Sequence, residues 1–318
     1  MLFFSTMPWE RPSDPLTLND LLSVSAQHDA DLRPRDHATW GVNGSYSVPW
    51  GYWTFSASGG TSEYRQNVAT SGQSLRYRGR NTNLDLEVER VVHRGQASKT
   101  TASLSAAKRW GQTWLEDVEI EVQRRDVTSA TLALAHRYTA GKTTVEGQLA
   151  VRRGLPFLAQ EGRRDAGTTQ FTLGTARGSV STPFTLWLPL RWRTELRGQY
   201  TDDRLLVADQ FAIGGRYTVR GFDGETTLAA ENGACLRNEL GITLPKVRQE
   251  LYLALDAGFV DGPSAGKLVG AGLAGAALGV RGGLWALSWD AFAGVPIHRP
   301  SGFETARPAF GFSVTALY

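Results

Sequence analysis

The chain has 318 residues, with 34 basic against 31 acidic side chains for a formal charge of +3, and it carries 35 Gly and 10 Trp. So even a balance does not call for nucleic acid as a partner, and no apolar run reaches the roughly 18–20 residues that a membrane-spanning helix needs. A slightly negative mean hydropathy leaves the membrane open to strands, each of which needs only about 9–11 residues with one apolar face.

The N-terminal Leu2-Phe3-Phe4 is too short for the apolar core of a signal peptide, and Glu10 and Arg11 follow it closely. Residues 1–18 are therefore read as a non-native or disordered remnant. Strands are expected at about 19–28, 38–48, 52–66, 73–93, 98–110, 117–139, 142–153, 168–180, 184–200, 234–244, 249–259, 267–280, 283–295 and 307–318, roughly fourteen in all. Successive strand residues point to opposite faces, so each face can be read separately.

Leu84, Leu86 and Val88 oppose Asp85, Glu87 and Glu89, before Arg90 and Val91 interrupt the pattern. Val145, Gly147, Leu149 and Val151 oppose Glu146, Gln148 and Arg152. From 186 to 197, Leu186, Leu188, Leu190, Trp192 and Leu196 share one face, and Trp187, Arg191, Arg193, Glu195 and Arg197 share the other. Leu236, Leu240, Ile242 and Leu244 oppose Arg237, Glu239 and Thr243, with Asn238 breaking the apolar side. Leu251, Leu253, Leu255 and Phe259 oppose Tyr252 and Asp256. The last strand sets Phe310, Phe312, Val314 and Tyr318 on one face.

Charged faces repeated along the chain suit a wet lumen, and apolar faces suit lipid. A closed barrel also satisfies every backbone group inside the bilayer. Tight links at Pro49-Trp50-Gly51, Arg94-Gly95-Gln96, Ala140-Gly141, Ser181-Thr182-Pro183 and Pro245-Lys246 alternate with longer ones at about 29–37, 154–167, 201–233 and 296–306. Short turns on one side and long loops on the other are the bacterial outer-membrane pattern. The expected fold is all-β, a transmembrane antiparallel β-barrel spanning 19–318. The pairs Arg124-Arg125, in the outer half of a long strand, and Arg163-Arg164, in a long loop, are read as solvated or lipopolysaccharide-facing.

The longest loop carries Gly214-Gly215-Arg216-Tyr217-Thr218-Val219-Arg220-Gly221-Phe222. Its Val219-Arg220-Gly221-Phe222 is similar to the motif of an inward-folded loop in outer-membrane protein translocators. Tyr46-Ser47-Val48-Pro49-Trp50-Gly51, Arg152-Arg153-Gly154, Leu236-Arg237-Asn238-Glu239-Leu240 and Asp256-Ala257-Gly258 fall in matching order. Together they make the chain resemble the TpsB transporters of two-partner secretion, the ShlB/FhaC/HecB haemolysin secretion/activation type. The resemblance implies that the loop of about 201–233 enters the lumen. It also implies that Arg220 pairs with the inward Asp256 on the second strand after the loop, with Arg237 and Glu239 available to the same network. An Arg–carboxylate fork is directional and can be bidentate, so it pins a loop tip better than lysine would. Phe310, Phe312, Val314 and Tyr318 look like the C-terminal signal read by the barrel assembly machinery.

The resemblance implies an outer-membrane translocator, in a Gram-negative bacterium, of a large TpsA-like exoprotein of the haemolysin, haemagglutinin or adhesin kind. Outer-membrane lipid and lipopolysaccharide would be its surroundings, with no nucleic-acid partner. Such families carry a signal peptide, a plug helix, two POTRA domains and about sixteen strands. The helix, the POTRA domains and two strands have no counterpart here, so the chain is read as N-terminally truncated. The alternatives are a passive porin and a barrel enzyme acting on lipid. No enzymatic role, cofactor or metal is expected. His28, His37, His93, His136 and His298 lack metal-ligand spacing, Cys235 is the single cysteine, and neither a phosphate-binding Gly-Lys loop nor a Gly-x-Ser-x-Gly elbow occurs.

Overall fold

A computed structural model describes residues 19–28, 38–70, 73–157, 159, 167–244, 249–284 and 287–316. Residues 1–18, the loop at 29–37, Pro245-Lys246, Arg163-Arg164 and Tyr318 lie outside these residues. The described residues form β1 (Leu21–His28), β2 (Ala38–Trp50), β3 (Trp53–Thr70), β4 (Gln73–Arg94), β5 (Ser98–Leu115), β6 (Val118–Glu119), β7 (Arg125–Ala140) and β8 (Thr143–Leu155). There follow β9 (Thr172–Thr185), β10 (Pro189–Tyr200), β11 (Phe211–Ile213), β12 (Leu228–Ala230), β13 (Asn232–Leu244), β14 (Gln249–Asp261), β15 (Gly272–Leu284), β16 (Leu287–His298) and β17 (Ala309–Ala316). The pairing order is β1-β2-β3-β4-β5-β7-β8-β9-β10-β13-β14-β15-β16-β17, with β6 on β5 off this path and β11-β12 as a separate hairpin. Each of the fourteen expected strands has a counterpart in that order.

Exposure along the strands is inverted relative to a water-soluble sheet. On β14, Leu253, Leu255 and Phe259 are 50%, 51% and 55% exposed, whereas Tyr252, Ala254, Asp256 and Val260 are buried. Apolar side chains outside and ionisable ones inside make sense only when the outer solvent is itself apolar. Asn238, which interrupts the apolar side of β13, meets Thr194, its register partner on β10: the Thr194 hydroxyl donates to Asn238 Oδ1 at 2.7 Å. Arg90 does not end β4. It lies over the Trp53 ring at 4.9 Å, and the strand runs on to Arg94.

Two expectations change. The strand expected at 117–139 begins at Arg125, because Glu116 takes a positive φ of 55° and folds Val118–Glu119 back onto β5. A 3-10 turn at Glu121–Gln123 follows. Arg124 therefore lies in a connection, not in a strand, and forks onto Glu119 with Nε–Oε1 at 2.8 Å and Nη2–Oε2 at 2.6 Å. The tight link expected at Ser181-Thr182-Pro183 is part of β9, and the chain turns at Leu186-Trp187-Leu188 instead. Trp187 is 85% exposed there. A turn at the edge of an apolar layer can be apolar, and tryptophan favours that interface, so the usual polar turn chemistry is a poor guide.

The chain divides into two compact units. The first is built from the described residues of Met1–Val92, Ala102–Leu132 and Arg152–Phe171. In it Arg152 stacks on Phe171 at 4.9 Å and donates to the Ser129 hydroxyl at 3.2 Å, while the Gly154 N–H donates to the Phe171 carbonyl at 2.8 Å. The Arg152-Arg153-Gly154 stretch thus pins the end of β8 to the chain that enters β9. The second unit, His93–Thr101, Ala133–Val151 and Thr172–Tyr318, holds the long loop and the strands it lies on.

Candidate functional site: a loop seated on the polar face

The loop spans 201–231 between β10 and β13, and its β11–β12 hairpin gives it a stem. Thr201 fixes the start, its N–H donating to Asn232 Oδ1 and its hydroxyl to the Thr172 carbonyl, both at 2.7 Å. Between the two hairpin strands, the Thr218 hydroxyl accepts from the Gly214 and Gly215 N–H groups at 3.1 and 3.2 Å, curling the chain towards Val219 and Arg220.

Arg220 is only 2% exposed. Its Nε donates to Asp256 Oδ2 at 2.6 Å and its Nη2 to Oδ1 at 2.7 Å, a bidentate fork, and its backbone N–H adds a third bond to Oδ2 at 3.0 Å. Nη1 donates to Glu239, which also accepts from Arg281. Arg281 lies over the Tyr252 ring at 4.1 Å and reaches Glu250 at 3.3 Å, and Arg193 donates to Glu250 as well, from Nη2 at 2.9 Å. The Tyr252 hydroxyl donates to Asp290 at 3.1 Å. The charges thus alternate in sequence: Asp256, Arg220, Glu239, Arg281, Glu250, Arg193. Burial alone would disfavour the Arg220 cation, but the Asp256 bonds and the charges of Asp256 and Glu239 outweigh it and raise its pKa. The tip therefore stays cationic at any physiological pH.

The tip backbone fits because two wall positions beneath it are glycines. A Cβ on Gly275 of β15 would stand 1.9 Å from the Arg220 carbonyl oxygen, and one on Gly294 of β16 would stand 2.7 Å from the Gly221 nitrogen. Gly221 itself has φ +107°, a conformation that only glycine adopts cheaply. The β15–β16 register shifts between Ala274 and Gly275, so a bulge bends the wall at the point of contact.

Around the tip the polar face turns apolar. Ile213, Val219, Phe222 and Leu228 from the loop pack with Cys235, Val260 and Leu273 from β13, β14 and β15, and with Phe303. Phe222 meets Phe303 edge to face, with centroids 5.5 Å apart. Each such buried side chain contributes about 1.5–3 kcal/mol, so Val219 and Phe222 together hold the loop about as firmly as its ion pair.

Two further acids fasten the loop, Glu231 at its base and Asp223 just past the tip. Glu231 is fully buried and accepts from the Ser264 N–H at 2.9 Å and the Ser264 hydroxyl at 2.6 Å. Asp223 accepts from the Ala306 N–H at 2.6 Å and the Glu225 N–H at 3.0 Å, and its own N–H donates to the Thr305 hydroxyl at 3.2 Å. Partial burial opposes ionisation of Asp223, but these N–H donors prevail and lower its pKa. With a depressed folded pKa, the anchor is at full strength above the ordinary aspartate value of about 4 and is lost only as pH falls through the lower folded value. Asp223→Asn should therefore loosen the segment just past the tip at pH 7. A nitroxide at Glu225→Cys, in a Cys235→Ser background, should report greater mobility in the variant, and the wild type should match it only in strong acid. Equal mobility at pH 7 would remove Asp223 from the anchor.

Arg220, Asp256 and Glu239 are thus brought together, and Val219 and Phe222 flank them in the apolar cluster. Arg237 stands apart from that fork: it reaches Glu195 at 3.5 Å and the Arg216 carbonyl at 3.5 Å, and does not pair with Glu239. Phe310, Phe312 and Val314 point outward on β17. Sequence reading passed over Arg193, Glu250, Arg281, Asp223 and Glu231. Alternation assigns Arg193 to the polar face, but Arg281 fell in the expected link between 267–280 and 283–295, and nothing in alternation says which charges meet.

The family model described as haemolysin secretion/activation protein ShlB/FhaC/HecB matches residues 12–282. Outer membrane transporter CdiB-2 of Burkholderia pseudomallei (strain 1026b) is 36% identical over 314 residues, covering 96% of this chain and 54% of that protein. The solved structure of CdiB from Acinetobacter baumannii matches with a TM-score of 0.81 at 31% identity, over 95% of this chain and 54% of that one. CdiB from Escherichia coli matches with a TM-score of 0.85 at 26% identity, over 95% and 57%. The chain spans about half the length of the curated relatives it matches. It belongs to the ShlB/FhaC/HecB haemolysin secretion/activation family, and its fold is the antiparallel transmembrane β-barrel of that family's solved members.

Proposed function

We propose that this chain forms the outer-membrane barrel of a two-partner-secretion transporter, passing a large TpsA-like exoprotein outward without nucleotide. The observation that carries this reading is the seated loop. A passive pore has no use for an arginine tip seated over two wall glycines and tied to a buried aspartate. In this reading the tip closes the lumen and its departure opens the path. A polar cavity of about 540 Å³ flanks the tip, lined among others by Arg193, Glu195, Arg237, Glu239 and Arg281, and is where an unfolded chain would first meet it.

The outward apolar faces would contact lipid and, on the long-loop side, lipopolysaccharide. Phe310, Phe312 and Val314, together with Tyr318 beyond the described residues, would serve as the strand recognised by the barrel assembly machinery. A reversible lock tests the gate. A Cβ on Gly258 would lie 3.3 Å from Val219 Cγ2, within range of a disulfide's geometry. In a full-length relative, the equivalents of Val219→Cys and Gly258→Cys, with Cys235→Ser, should stop exoprotein release when oxidised and restore it on reduction. Release that persists in the oxidised state would refute a moving loop.

A further inference from the structure

One transverse row of the inner wall reads Glu195 on β10, Arg237 on β13, Asp256 on β14 and Gly275 on β15, each opposite the next in register. Directly opposed residues in an antiparallel ladder have Cβ atoms about 4.5–5.5 Å apart. Arg237 is therefore within easy reach of Asp256, yet it turns the other way, to Glu195 at 3.5 Å and the Arg216 carbonyl at 3.5 Å. Its Nε is buried and donates to no acceptor among the described residues. On the far side of Asp256, Gly275 offers no side chain.

If the loop leaves, Asp256 loses both guanidinium bonds and the Arg220 N–H, and Arg237 loses the Arg216 carbonyl. Glu195 does not need Arg237, because Arg197 Nε already donates to it at 2.6 Å. Glu239 keeps Arg281, and Glu250 keeps Arg193. We propose that Arg237 is the stand-in cation of the gate: it swings from Glu195 to Asp256 when Arg220 departs. The wall then balances without the loop, with Arg197 on Glu195, Arg237 on Asp256, Arg281 on Glu239 and Arg193 on Glu250. Opening no longer strands a buried carboxylate, so Arg237 is a positioning residue that sets the opening equilibrium.

This inference rests on the moving-loop reading, and its test separates the two. The 318-residue chain is reconstituted in planar bilayers and its open probability measured at neutral pH. Arg220→Ala should raise the open probability. Arg237→Gln should lower it roughly tenfold or more, the weight of a hydrogen bond to a charged group. Glu195→Gln, which frees Arg237 to turn towards Asp256, should raise it several-fold, and Arg237→Lys should stay close to wild type. Opposite signs for Arg237→Gln and Glu195→Gln are not expected from general damage to the wall, which would move both alike. Unchanged opening in Arg220→Ala overturns the loop reading and this one with it. A responsive Arg220→Ala beside an Arg237→Gln that opens as often as wild type, or more often, overturns the swap alone. That last result would make Arg237 a clamp on the Arg216 carbonyl.

Discussion

Arg220→Ala should unseat the loop and, in a full-length relative, abolish most export of the cognate exoprotein. Export needs the loop to cycle between its seat and the open path, and this variant cannot reseat. The substitution strands the Asp256 carboxylate, whose side chain has no solvent exposure, and takes one of three arginine partners from Glu239. Removing one partner of a buried pair costs about 3–5 kcal/mol, so the seated-to-unseated ratio should fall by roughly 10²–10⁴. Arg220→Lys keeps the charge and the backbone N–H bond but cannot form the fork, and it should lie between wild type and alanine. Protease access at 214–222 would report the seat, and secreted exoprotein would report transport. Export at the wild-type level would mean that the fork does not govern the gate. The apolar cluster around Val219 and Phe222 keeps the alanine variant from losing every hold, which is why a steric change should be more severe.

Gly275→Val should displace the tip outright while leaving the strands paired. The first added carbon would stand 1.9 Å from the Arg220 carbonyl oxygen and 3.4 Å from that of Val295. Both are backbone atoms, so no flexible side chain can yield. Overpacking that neighbours can absorb typically costs about 1–3 kcal/mol; a 1.9 Å approach to a backbone atom cannot be absorbed, so the loop escapes the larger cost only by leaving. Gly294→Ala should act alike, since its Cβ would stand 2.8 Å from Gly221 Cα. Gly272→Ala on the same strand, where the nearest atom would be 3.7 Å away, is the matched control. A nitroxide at residue 217 should become mobile in Gly275→Val and stay restrained in Gly272→Ala, with heat resistance of the folded barrel nearly unchanged. A tip that stays in place in Gly275→Val would show that the wall, not the loop, moves aside.

The faces of the strands were legible because alternation is a property of the local backbone. Asp256 is inward for the same reason that Leu255 is outward. The partnership of Arg220 with Asp256 could be named from the motif resemblance, but not from spacing, since the polar face carries many arginines. The turn at Leu186-Trp187-Leu188 was missed because it breaks the link between turns and polar residues, a rule that assumes water outside. The fold-back at Glu116 was missed because a positive φ there is not announced by glycine or asparagine. Asp223 and Glu231 gave no signal, since their partners are mostly backbone N–H groups and a serine at 264, far along the chain.

By itself the sequence determined the all-β class, the strand order and which face of six of the strands is apolar, because a period of two needs only neighbouring residues. The tertiary structure alone decided the register and the path of the loop. Register is set by hydrogen bonds between strands distant in sequence, and it is register that puts side-chain-free Gly275 beside Asp256 and Arg237 on its other flank. Those positions turn one arginine between two strands into a seated tip with a cation waiting next to its partner.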